Sequence, residues 1–244
     1  FLVHASAEGL TTYDGRETAP AAATPTRFLD AQGDRLPRNE RVISGLSVGV
    51  PGNLALAAKA HAKFGKLKWE ELFQPAITLA RDGFLMNRRL NESLTRSKGR
   101  ADKSEGARAI FFGTDGEALP VGTRVRNPVF AQTLEAVAAK GPSHFYSDKA
   151  ESFAKYVAGE TPQDGKMTAA DVEAYAAKQR EAVCGNYRSY EVCGMGPPSS
   201  GGIAIAQILG QLERFDLAKM GPESATFWHL FLESQRIAYA DRGL

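Results

Sequence analysis

The chain has 244 residues, 43% of them hydrophobic, which is enough to bury a large core in one domain or two small ones. Thirty Lys and Arg residues stand against 28 Asp and Glu, and the formal charge of +2 excludes a strong overall field that would favour nucleic acid or anionic lipid. No apolar run approaches the roughly 20 residues that cross a bilayer, so we expect no membrane contact from this chain.

The first third of the chain predicts two short strands followed by helices. "LVHA" and "LTTYD" indicate strands joined by a turn at residues 7–9, and residues 41–50, "RVISGLSVGV", look extended and glycine-punctuated. A helix is predicted over 51–65, because proline stands at its start and glycine at its end. Apolar spacing predicts an amphipathic helix over 69–83.

The middle of the chain contains several residues that are typical of helix N-caps. Asn87 and Asn127 are predicted N-caps, and the helix after Asn127 is expected to turn one apolar face inward, made of Phe130, Leu134 and Val137. A further helix is expected within residues 143–159. Thr168 and Asp171 have a spacing close to that of a capping box.

The last third predicts a hairpin and two helices. Residues 181–195 are rich in Val and Tyr and indicate two strands with a turn near 186–189. The next helix is expected to bury the stripe Ile205, Ile208, Leu209 and Leu212, and the last helix to cover about 223–241. With no internal repeat or linker, residues 1–244 are predicted to form a single α-rich domain with a few strands.

Two glycine-rich motifs admit a functional and a structural interpretation. "GLSVG" matches the nucleophile elbow G-x-S-x-G, which would make Ser47 a nucleophile, but a glycine-rich turn that packs closely on its neighbours is favoured. "GMGPPSSGG" ends in Gly201 and Gly202 at the start of a helix, where free amides bind anions. A rigid connector with Ser200 or a glycine as N-cap is the favoured interpretation.

Other candidate sites have simple explanations. His4, His61, His144 and His229 are scattered without metal-ligand spacing, so neither a metal site nor a cofactor is expected. The cation-rich segment 81–108 contains no interleaved aromatics, and a solvated helical face is favoured over nucleic-acid binding. Cys184 and Cys193 could be bridged across the hairpin in an oxidising compartment, although two packed thiols are the default expectation.

Arg16 is the candidate ligand-binding residue. A guanidinium presents a planar fork that meets a carboxylate with two parallel hydrogen bonds, and the small residues around Arg16 leave room for a small ligand. Residue chemistry alone still favours an ion pair, with Glu17 or Asp14.

Several long motifs occur in the order found in γ-glutamyltranspeptidases. They are "DGRETAPAAAT" with "RFLD", "SGLSVGVPG", "QPAITLARDGF", "NPVFAQTLEAVAAKGPSHFY", "MTAADVEAY", "GNYRSYEVCGMGPPSSGG" and "AYADR". The chain is therefore identified as similar to the large-subunit portion of that family, within the N-terminal-nucleophile hydrolases. The resemblance implies a helix-rich α+β fragment of an αββα sandwich with few strands, and a periplasmic or secreted location.

The resemblance also implies the chemistry. The family's arginine in "RE-x-AP", here Arg16, binds the α-carboxylate of a γ-glutamyl group, as in glutathione, and the acyl group passes through a threonine to water, amino acids or peptides. That threonine begins the small subunit after the precursor cleaves itself, because its own α-amine is the base. Thr11 and Thr12 are internal and cannot replace it, so we expect no catalytic residue in this internal part of the large subunit, and no activity from it alone.

Two alternatives stay open at this point. A related acylase of the same fold, acting on cephalosporin side chains or poly-γ-glutamate, also fits the arginine motif. A serine hydrolase using Ser47, or a binding module, is the other.

Overall fold

The computed structural model describes residues 1–243, which are predominantly helical. The elements in chain order are β1 Leu2–Ser6, β2 Gly9–Asp14, α1 Arg38–Val42, α2 Asn53–Phe64, α3 Gln74–Asp82, β3 Phe84–Leu85, α4 Arg88–Arg96, α5 Glu105–Phe111, β4 Arg124–Val125, α6 Pro128–Lys140, α7 Ala150–Gly159, α8 Ala169–Glu173, β5 Lys178–Arg180, β6 Ala182–Tyr187, β7 Tyr190–Met195, α9 Gly201–Leu212, α10 Leu217–Met220 and α11 Ala225–Arg242. The prediction of a helix-rich α+β fold with few strands is confirmed. Within the described residues, no helix is long and apolar enough to cross a membrane.

The chain divides into two compact units. One, called here the terminal unit, combines Phe1–Arg16 with the chain from Ala176 onward, and the other, the central unit, is Glu17–Tyr175. The single domain expected for residues 1–244 stays a prediction.

The terminal unit contains the sheet that leads to the candidate site. Strand β2 pairs antiparallel with β1 on one side and with β5 on the other, and Thr12 lies opposite Arg180. The two strands predicted near the start of the chain, and the hairpin predicted over 181–195, here β6 and β7, are confirmed.

Helix α9 packs against α11 and against the β6–β7 hairpin. Its most buried residues are Ala204 and Leu212, whereas Ile205 is 50% exposed. The predicted stripe is therefore right at Leu212 and wrong at Ile205, while Ile208 and Leu209 are half-buried.

The core of the central unit surrounds helix α7. Val50, Ala150, Val157 and Val172 are almost completely buried there, and α7 packs against the short helix α8. Tyr146 belongs to the same core, and its hydroxyl donates to the Pro51 carbonyl at 2.7 Å.

The predicted caps of the central unit are confirmed. Asn87 Oδ1 accepts from the Leu90 amide at 2.8 Å at the start of α4, and Asn127 Oδ1 accepts from the Phe130 amide at 3.0 Å at the start of α6. Thr168 and Asp171 form a complete capping box before α8. Each short polar side chain satisfies an amide that the first helical turn leaves without a partner.

Two local predictions for the central unit were wrong. Residues 41–50 are not extended, because α1 reaches Val42 and a 3₁₀ turn covers Gly45–Ser47, which leaves only Val50 in a bridge with Thr18. Phe130 is 50% exposed rather than on the inner face of α6.

Candidate functional site

Arg16 lies in the terminal unit, directly after strand β2, which ends at Asp14. Gly15 is buried and Arg16 is exposed. The Arg16 backbone N–H donates to Asp14 Oδ1 at 2.9 Å, a turn in which an aspartate side chain bonds the amide two residues on. The strand end therefore places Arg16 at the surface by fixing its backbone.

Asp14 anchors this turn through a second contact. The residue is only 6% exposed, and its Oδ2 accepts from Arg180 Nε at 2.7 Å. Burial opposes ionisation of the Asp14 carboxyl, but the hydrogen bond from the Arg16 amide, with the hydrogen bond and charge of Arg180, outweighs it and holds the pKa below 3.8. Asp14 is therefore a carboxylate with both oxygens engaged.

Asp14 contacts two arginines in different ways. The side-chain partner of Asp14 is Arg180, and the contact of Asp14 with Arg16 runs through the backbone amide. The strand pairing thus brings Arg180 to the Asp14 carboxylate, and the expected ion pair of Arg16 with Glu17 or Asp14 stays a prediction.

Thr12 completes the link between the strands. Its side chain is buried, and Thr12 Oγ1 donates to the Arg180 carbonyl. This hydrogen bond fixes β5 against β2. Thr12 lies within β2, so its backbone nitrogen is part of a peptide bond. Thr12 therefore has no basic amine of its own that could activate it.

Ser47 does not occupy a nucleophile elbow. The described residues directly before Ser47 form α1 and the 3₁₀ turn Gly45–Ser47 instead of a strand. Ser47 Oγ donates to the carbonyls of Val42 at 3.2 Å and Ser44 at 3.3 Å. A Cβ on Gly45 would stand 2.2 Å from Thr161 Oγ1. The interpretation of "GLSVG" as a closely packed glycine turn is confirmed, and the nucleophile interpretation of Ser47 was wrong.

The "GMGPPSSGG" segment joins β7 to α9. Ser200 occupies the N-cap position, but its hydroxyl accepts from Arg242 Nε at 2.7 Å instead of capping the helix. A Cβ on Gly194 would lie 2.9 Å from the Gly202 Cα, so strand and helix start approach each other closely. These contacts are those of the rigid connector that the sequence favoured.

Cys184 and Cys193 face each other across the β6–β7 hairpin and form a disulfide. The default expectation of two thiols was wrong, because the strand register pairs the two residues directly, with their Cα atoms 4.1 Å apart. Glu191 lies beside them, and the three side chains form the one group within residues 1–243 whose spacing would suit a metal ion. Both sulfurs are used in the disulfide, so neither is a thiolate ligand.

The cation-rich segment lies around helix α4. Arg96 and Lys98 form surface ion pairs with Glu92 and Glu117. Arg96, Lys98 and Arg100 also border an open cavity of about 600 Å³ together with Arg38. The absence of nucleic-acid binding stays a prediction.

The chain matches known proteins along its full length. A family model described as gamma-glutamyltranspeptidase matches residues 1–244. The glutathione hydrolase proenzyme of Escherichia coli K12 is 40% identical over 246 residues, 99% of this chain and 41% of that protein. The Acylase ACY 1 proenzyme of Pseudomonas sp. strain V22 is 34% identical over 242 residues, 99% of this chain and 42% of that protein.

A solved structure supports the same relationship. The crystal structure of Helicobacter pylori gamma-glutamyltranspeptidase superposes with a TM-score of 0.89 at 33% identity, covering 100% of this chain and 69% of that one. The chain spans about two fifths of the length of the Escherichia coli relative.

Proposed function

The chain belongs to the gamma-glutamyltranspeptidase family, and from this premise we propose that it is part of an enzyme that transfers γ-glutamyl groups. The donor is glutathione or a related γ-glutamyl amide, and the acceptor is water, an amino acid or a peptide. The observation that carries the proposal is the match of the family model over residues 1–244. The name of the Escherichia coli relative, a glutathione hydrolase, supports the choice of donor.

In this proposal Arg16 binds the α-carboxylate of the γ-glutamyl group. Its exposed position after a buried, hydrogen-bonded strand end suits a fixed cation that meets a small ligand. A bidentate contact with a carboxylate in a desolvated pocket is worth on the order of 2 to 5 kcal/mol when one partner is truncated.

The test compares two donors in the complete precursor-derived enzyme. The first is L-γ-glutamyl-p-nitroanilide, and the second is 4-aminobutyryl-p-nitroanilide, the same amide without the α-carboxylate. Arg16→Ala is expected to raise KM for the first donor by more than thirtyfold, as a loss of about 2 kcal/mol implies. The variant should leave the already poor kcat/KM for the second donor unchanged.

Two further variants control this test. Arg16→Lys keeps the charge without the fork and should fall between the wild type and Arg16→Ala. Arg236→Ala removes an arginine that is 72% exposed and paired with Glu233 on α11, and it should not change KM. Equal donor kinetics for wild type and Arg16→Ala would remove Arg16 from substrate binding.

The nucleophile is proposed to come from the small subunit of the same precursor. It is a threonine whose free α-amine acts as base and which carries the γ-glutamyl group as an ester. The word proenzyme in the names of both relatives supports maturation of a precursor. A polypeptide of residues 1–244 alone should release no p-nitroaniline above the rate without protein, and release by that polypeptide would contradict the proposal.

An acylase of the same fold is the second candidate. The Pseudomonas relative named Acylase ACY 1 favours it, at 34% identity over nearly the whole chain. The choice is made by comparing kcat/KM for γ-glutamyl-p-nitroanilide, for a cephalosporin with a glutaryl side chain and for poly-γ-glutamate. A preference for either of the last two would replace glutathione as the donor.

The proposed location is periplasmic or secreted. The Cys184–Cys193 disulfide supports it, because such bridges persist in oxidising compartments and are rare in the cytosol. Fractionation of the native host, with the complete protein found only in the cytosol, would contradict this location.

A further inference from the structure

We propose that Asp14 and Arg180 are positioning residues that set the place of Arg16 for carboxylate recognition. This inference rests on the proposed function, since it assigns a task to Arg16 that only substrate binding requires. It concerns two residues that do not themselves contact the donor.

The three residues form one connected chain of contacts in the terminal unit. Arg180 Nε donates to Asp14 Oδ2 at 2.7 Å, and Asp14 Oδ1 accepts from the Arg16 amide at 2.9 Å. Arg180 lies opposite Thr12 on the neighbouring strand, so Asp14, two residues further along β2, is its diagonal neighbour on the same face of the sheet. The position of Arg16 is thereby tied to Arg180, which lies 166 positions after Asp14 in the sequence.

Burial makes this link specific. The Asp14 side chain is 7% exposed, so water cannot easily replace a lost partner, whereas the Arg180 side chain is 38% exposed. An asparagine at position 14 could still accept from the Arg16 amide. Its NH₂ group would then face the Arg180 Nε–H, donor against donor, and the turn would have to rearrange.

The expected signature is a change in donor KM with little change in kcat. Asp14 and Arg180 act on the position of the carboxylate-binding cation and not on the scissile bond, and a displacement of about 1 Å costs up to roughly a hundredfold in a preorganised site. Asp14→Asn in the complete enzyme should therefore raise KM for γ-glutamyl-p-nitroanilide by roughly 10- to 100-fold. Activity on 4-aminobutyryl-p-nitroanilide, which has no carboxylate to position, should not change.

The deciding experiment is a double-mutant cycle of Asp14→Asn and Arg16→Ala, with kcat and KM measured for each enzyme. If Asp14 acts through Arg16, Asp14→Asn will add nothing in the Arg16→Ala background. An equal KM increase in both backgrounds, or no increase in the single variant, overturns the inference and leaves the role of Arg16 intact. An unchanged KM in Arg16→Ala overturns both.

Variants of Arg180 keep the test decisive if Asp14→Asn fails to fold. Arg180→Met removes the contact with Asp14 and should raise KM for the γ-glutamyl donor. Arg180→Lys still donates one charged hydrogen bond, so its KM should lie closer to that of the wild type. Thermal unfolding of each variant identifies the folded ones, and Arg236→Ala serves as the matched control. A folded Arg180→Met enzyme with wild-type KM overturns the inference.

Discussion

Arg16 and Arg27 present the same guanidinium in two different surroundings. Arg27, in the central unit, is 7% exposed and donates to the carbonyls of Leu46 at 2.8 Å, Gly165 at 2.5 Å and Gly45 at 3.3 Å. Arg16, in the terminal unit, is exposed, and the contact that fixes it runs through its backbone amide. The Arg27 side chain therefore donates to backbone carbonyls, whereas at Arg16 it is the backbone amide that donates, to the Asp14 side chain.

The difference separates an arginine that serves the fold from the one proposed to bind a ligand. When all three nitrogens of a guanidinium donate to carbonyls of the protein, as in Arg27, the side chain is held within the fold. Arg16 is exposed, and its backbone amide donates to Asp14 at the end of β2. Four measurements of the free energy of unfolding test this difference, from the largest expected effect to the smallest.

Arg27→Ala should destabilise the protein most. The carbonyls of Leu46 and Gly165 would lose the Arg27 donor, and Gly45 would keep only the Val48 amide. Each buried unsatisfied group costs about 1 to 3 kcal/mol, so the free energy of unfolding should fall by about 2 kcal/mol or more. Urea denaturation at neutral pH measures it, with Arg236→Ala as the exposed control. A fall below 1 kcal/mol would mean that water replaces Arg27, and the comparison would fail.

Gly45→Ala tests the turn that Arg27 holds. The new Cβ would stand 2.2 Å from Thr161 Oγ1 and 2.3 Å from the Val157 carbonyl, so the free energy of unfolding should fall by about 1 to 3 kcal/mol. Gly106→Ala is the matched control, because nothing lies within 4 Å of its Cβ position. Equal stability of the two variants would show that the turn moves without cost.

Acid should weaken the anchor of Arg16. The pKa of Asp14 is lowered in the folded state, so the ionised carboxylate stabilises the protein above the unfolded value near 3.8, and this contribution is lost as the pH falls through the lower folded value. The free energy of unfolding should therefore fall more steeply below about pH 4 in the wild type than in Asp14→Asn. Parallel curves from urea titrations between pH 7 and 2.5 would contradict the assignment.

Arg16→Ala should have the smallest effect on stability. Truncation of an exposed side chain usually changes the free energy of unfolding by no more than about 0.5 kcal/mol. Denaturation under the conditions used for Arg27→Ala gives the direct comparison. A loss of 2 kcal/mol or more would place Arg16 among the structural arginines, beside Arg27.

Local signals predicted most of the helices and the hairpin. Asn87, Asn127 and the Thr168–Asp171 pair start their helices as the sequence indicated, because a cap needs only the residues within one turn. Residues 41–50 were misread, since β-branched residues between glycines look extended, whereas a 3₁₀ turn there depends on the contacts of Gly45 with distant residues. Those contacts join residues far apart in the sequence, so the local pattern around Gly45 does not reveal them.

Arg16 is predicted as a site residue from its motif and the resemblance to the family, and not from periodicity or charge. Its anchors were missed for a physical reason. The three residues of β5, "KQR", are too few to show a strand pattern, and nothing near Asp14 indicates which cation will meet it. The one available signal was Asp14 at the end of a predicted strand, because an acid that becomes buried there needs a partner.

The pairing of β2 with β5 sets an order of events during protein synthesis. The ribosome makes Asp14 before Arg180, which follows 166 residues later, on the order of ten seconds at common translation rates. The stretch between them contains the whole central unit, which is continuous in the chain and can collapse on its own contacts in that interval. Strand β2, which ends at Asp14, therefore keeps one edge unpaired until the growing polypeptide supplies β5.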